Sequence, residues 1–116
     1  MTIEDIDSLV TRYEDAAIRH GSLKTVPAVN KAADEIAAIY RELRSRGLDV
    51  QKKLLPLLKH PDPSVRGWVA AHALEFAPKL GVAVLKDLEA NSPPGAIKAT
   101  AFFTLQEWRA GRLEFP

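Results

Sequence analysis

Apolar residues recur at three- and four-residue spacing along nearly the whole 116-residue chain, and no segment alternates apolar with polar as a half-buried strand would. The pattern predicts an all-α protein of about six helices stacked in antiparallel pairs. A first helix is expected from Ile3 to about Arg19, with Thr2 as N-cap and Gly21 as its stop, burying Ile6, Leu9, Val10, Tyr13 and Ala17. A second is expected from near Val26 to Ser45, with Pro27 in its first turn, Ala32, Ile36, Ile39, Tyr40 and Leu43 inward, and Gly47 beyond its end. The third, DVQKKLLPLLKH from Asp49, carries Pro56 internally, which removes a hydrogen bond and predicts a kink. In HPDPSVRGWVAAHAL, Pro61 breaks the chain, Asp62 caps the next helix and Pro63 opens it, giving a helix over residues 63–76. A fifth helix runs from Pro78 to Asn91. A sixth is read with Ser92 as cap, Pro93-Pro94 in its opening turn, Ala110 as its end and Gly111 following, which leaves RLEFP as a tail that frays or docks through Phe115. These elements group into hairpins over residues 3–45, 49–77 and 79–110 of one domain.

Residues 54–74 and 84–105 are related internally. Leu55 aligns with Leu85, Leu58 with Leu88, Ala70 with Ala101 and Leu74 with Leu105. Each copy is a leucine-rich helix, a proline corner and an alanine-rich helix. A lone hairpin buries one face, so stacked copies build a continuous core. The stretch LLPLLKHPDPSVRGWVAAHAL resembles a HEAT repeat of the armadillo/HEAT superhelix class, through Pro56 in the leucine helix, the Asp62-Pro63 corner, Val65-Arg66 and the Ala-Leu finish. The resemblance implies that Asp62 and Arg66 help stack neighbouring repeats. In size and in its TLQEWRAGRL ending the chain is similar to small bacterial HEAT-like proteins of unassigned function, which implies a helical superhelix and no established activity.

Composition narrows the function classes. Without cysteine there is no disulfide, thiol nucleophile or cysteine-bound zinc. The acidic start MTIEDIDSLV has no secretory pattern and no segment is apolar enough to span a bilayer, so the cytoplasm is the expected location and no membrane partner is expected. Sixteen basic against fifteen acidic residues leave a net charge of +1, too little to draw the chain generally toward nucleic acid. Lys52, Lys53, Lys59, Lys98, Arg109 and Arg112 could form a basic patch, but a pI near 8.0 without interleaved aromatics speaks against nucleic-acid backbone, which stands as the alternative partner.

Candidate chemistry is sparse. His20, His60 and His72 lie in different elements without metal-ligand spacing, so no metal or other cofactor is expected. His20 and His60 each end a helix, where a cationic imidazole would suit the dipole. The pairs Asp34-Glu35 and Asp87-Glu89 belong to solvated faces, and no nucleophile elbow or phosphate-binding loop occurs, so no enzymatic activity is expected. Trp68 and His72, four apart, share one side of their helix, with His72 at least partly buried. Phe102, Phe103 and Trp108 point in several directions, which predicts a last helix buried on more than one side; an exposed aromatic there would instead mark a partner or self-association surface. Arg66, Trp68, His72 and Trp108 are the candidate anchors for a protein partner, with the chain itself acting in an immunity-type or regulatory role, or for a second copy of the chain.

Overall fold

The computed structural model describes residues 3–116. Among them are six α-helices, a 3-10 segment and no strand: α1 (Ile6–Ser22), α2 (Val26–Ser45), α3 (Leu48–Gln51), the 3-10 segment Lys52–Lys59, α4 (Pro63–Phe76), α5 (Pro78–Asn91) and α6 (Ala96–Arg109). The architecture is all-α, as the periodicity requires. Contacts divide the chain into two compact units, one ending at Leu55 and one spanning Pro56–Phe115.

In the first unit α1 packs on α2. The cap of α1 is Asp5, whose carboxylate accepts from the Ser8 N–H at 2.7 Å. The helix thus starts three residues later than expected; the proposed cap Thr2 lies outside the described residues. It also continues through Gly21. The Arg19 carbonyl accepts from both the Leu23 N–H and the Ser22 hydroxyl, so the end is closed without a left-handed glycine. Leu9, Tyr13, Ala16 and Ala17 meet Ala32, Ile36, Ile39, Tyr40 and Leu43 in the core, while Ile6 and Val10 are only half-buried. Helix α2 has the bounds its sequence signals predict, and Gly47 follows it at φ 112°, a conformation that costs any other residue.

The segment carrying Pro56 is not a kinked α-helix. One α-turn, α3, passes into eight residues of 3-10 helix that bury Leu54 and Leu58 and expose Lys52, Lys53, Pro56 and Lys59. Pro56 cannot complete the hydrogen bond to Lys52 and would press on its carbonyl, so the α pattern gives way to tighter winding over the whole segment.

In the second unit α4 packs on α5, α5 on α6, and α4 touches α6. The Asp62 carboxylate accepts from the Ser64 N–H at 2.8 Å, and α4 begins at Pro63 and ends at Phe76 as predicted. Gly81, early in α5, lies against Ala70 and Leu74 of α4, whereas Gly67, early in α4, lies against Leu88 near the end of α5. The two helices therefore run antiparallel, joined through Ala77 alone. Of the positions the internal repeat aligns, Leu58, Leu88, Ala70, Ala101, Leu74 and Leu105 are all buried. Helix α6 starts three residues later than Ser92 suggests. Ser92 is the extended C-cap of α5, because a residue before proline is driven from helical geometry, and Gly95 at φ 149° starts α6 instead.

Candidate functional site

The four sequence-derived anchors all lie in the second unit, and each occupies a different environment. His72 is buried in α4 at 4% exposure, its ring centroid 5.9 Å from that of Trp68 one turn earlier. Any contact with a partner on this stripe therefore falls to Trp68, which is half-buried. Arg66 faces its own corner: its Nη1 donates to the carbonyls of His60 at 2.7 Å and Pro61 at 3.0 Å. Together with the Asp62 cap, this guanidinium fixes the path of the chain into α4. Trp108 is half-buried on α6. Arg66 and the Trp68–His72 pair thus share a helix but do different things.

The two histidines near helix ends sit in different surroundings. Partial burial lowers the His20 pKa. The Nδ1 of His60 accepts from the Asp62 N–H at 3.0 Å. Among the described residues no three His, Asp or Glu side chains gather as a metal site.

The sequence signals missed one feature. In the first unit Gln51, 6% exposed, donates from Nε2 to the hydroxyl of fully buried Tyr40 at 3.0 Å. Tyr13 is also fully buried, and burial, with Tyr40 beside it, raises its pKa well above 10.0. A shallow groove in the same unit has Leu9 and Ile39 in its floor and the Glu4–Arg12 ion pair on its rim, while Arg46 ties Glu42 to the Glu4 carbonyl. Every charge on that rim is already matched within the protein.

A second feature, one of the two outcomes the sequence left open, lies on α6. Phe102 is 45% and Phe103 60% exposed, their rings edge-to-face with centroids 5.3 Å apart. The helix expected to be buried on more than one side instead buries Ala101 and Leu105 and turns both phenylalanines outward. Adjacent helical positions point about 100° apart, so two neighbouring phenylalanines open a broad apolar surface rather than a narrow stripe. Lys98 and Arg109 edge this surface. Glu107, whose carboxylate two hydrogen bonds from Arg112 bind and hold below its usual pKa, lies on the other side.

Comparison with known proteins adds the family. No curated protein and no solved structure matches the chain. The family described as "Domain of unknown function (DUF2019)" matches residues 7–104, nearly the whole described helical region, and the chain belongs to that family.

Proposed function

We propose that this protein is a non-enzymatic binding module that offers one face of its helix stack to a protein partner, in an immunity-type or regulatory role. The observation that carries the reading is the exposed Phe102–Phe103 pair. Aromatic side chains anchor protein interfaces because they bury large area at little entropic cost, and they are disfavoured on a surface that stays wet. Half-buried Trp68 and Trp108 add aromatic area on α4 and α6 of the same unit. The likeness of residues 54–74 to a HEAT repeat and the antiparallel α4–α5 packing support the same reading, since such stacks make rigid surfaces suited to recognition.

The test is affinity capture from source-cell lysate with the wild-type chain and with a Phe102→Ser/Phe103→Ser variant. Both side chains are exposed, so the variant keeps its fold, and circular dichroism verifies that it does. The reading expects a discrete protein retained by the wild type and lost by the variant. Identical captures by both would remove its support. Steeply salt-dependent micromolar binding to duplex DNA would favour the nucleic-acid alternative instead.

A further inference from the structure

We propose that the outer face of α6 receives an amphipathic helix whose aliphatic side rests on Phe102 and Phe103 and whose carboxylates meet Lys98 and Arg109. This rests on the protein-binding reading and names the partner's chemistry. Lys98 precedes Phe102 by four residues and Arg109 follows it by seven, so all three fall on one stripe of the helix. Arg109 is exposed, and the Lys98 ammonium, which gives one N–H to the Glu89 carbonyl of α5, keeps its charge, so positive charge borders Phe102 above and below. Ala99 and Gln106, exposed and uncharged, lie along the same face and let another backbone approach. The carboxylate on the far edge, Glu107, is engaged by Arg112 at 2.8 and 3.1 Å. The charge this face leaves for a partner is positive, so an acidic flank complements it and a basic one is repelled. A second copy laid antiparallel about a two-fold axis would bring like edges together, Lys98 and Arg109 of one against those of the other. That repulsion favours a different, acidic chain over self-association.

Two synthetic helical peptides with the same leucine stripe, one flanked by glutamates and one by lysines, test this by titration against the full chain at low and high salt. The glutamate peptide is expected to bind at least about tenfold tighter than the lysine peptide, and to weaken about two- to fivefold with salt for each ion pair formed. Phe102→Ser/Phe103→Ser should lower its affinity about tenfold or more, and Arg109→Glu should narrow or invert the preference. Tighter binding of the lysine peptide on the phenylalanine face would overturn the charge assignment while leaving the protein-binding reading in place. A glutamate-peptide affinity unchanged by loss of both phenylalanines would overturn the site. Sedimentation showing a dimer that Phe102→Ser/Phe103→Ser dissolves would make a second copy the occupant and overturn the proposal. No binding of either peptide by a monomeric chain would count against proposal and reading together.

Discussion

At Gly81 α5 lies close against α4, and replacing it with alanine perturbs the second unit sharply. A Cβ at this position would stand 2.6 Å from the Ala70 carbonyl oxygen and 3.1 Å from the Leu74 amide nitrogen and Cδ2. A carbon beside a carbonyl oxygen normally keeps about 3.3 Å, so the helices must part by several tenths of an ångström. Two of the three atoms are backbone, which cannot rotate away. Overpacking of this kind costs about 1–3 kcal/mol. Alanine returns about 1 kcal/mol through its better helix propensity, leaving a net loss of about 1–2 kcal/mol at the upper end of the strain range. Gly67, on the facing helix, supplies the control. Its added Cβ would meet only Leu88 Cδ1 at 3.7 Å, an ordinary contact, so Gly67→Ala should gain up to about 1 kcal/mol. Urea denaturation followed by far-UV circular dichroism should therefore move the two midpoints in opposite directions, separated by about 2 kcal/mol. Equal shifts, or a Gly81→Ala chain as stable as the wild type, would refute the close antiparallel packing inferred here.

Other perturbations have equally definite outcomes. Tyr40→Phe strands the buried Gln51 amide and should cost about 1–3 kcal/mol, and adding Gln51→Leu should recover part of it because the orphaned donor disappears; chemical denaturation of the single and double variants measures this. The raised Tyr13 pKa means the folded state holds its proton after the unfolded state has released it. Stability from this group is therefore complete below 10.0 and lost as pH rises beyond it, and Tyr13→Phe should flatten that alkaline decline in melts recorded across the range. Asp62→Ala removes the acceptor for the Ser64 N–H and should cost about 1 kcal/mol, read as a lower thermal midpoint.

Helix bounds were legible where the signal is local and chemical. Pro27 and Gly47 bracket α2, and Asp62 with Pro63 starts α4, because caps and first-turn prolines act through neighbouring backbone alone. Sites governed by competition between two local signals were less legible. Ser92 reads as a cap, but Pro93 forces it into an extended conformation and leaves the start of α6 to Gly95. Pro56 reads as a kink, yet the surrounding leucines are accommodated by continuous 3-10 winding. Tertiary contacts left the weakest trace. The hairpins drawn at 49–77 and 79–110 separate α4 from α5, which pack together through the small side of Gly81, a residue unremarkable in a helical pattern. Gln51 lies beside Lys52 and Lys53 with no local sign of burial, and it is buried with its amide bonded to Tyr40. At the candidate site the periodicity could show that Phe102 and Phe103 diverge, and the packing of α6 against α5 and α4 decides that both face outward.

The most direct measurement is photo-crosslinking from position 103, with exposed position 15 of α1 as the reference, each carrying a benzophenone amino acid in source cells. The account predicts a discrete adduct with another protein from position 103 that is absent from position 15 and that Arg109→Glu diminishes. The same adducts from both positions, or none from position 103, would contradict it.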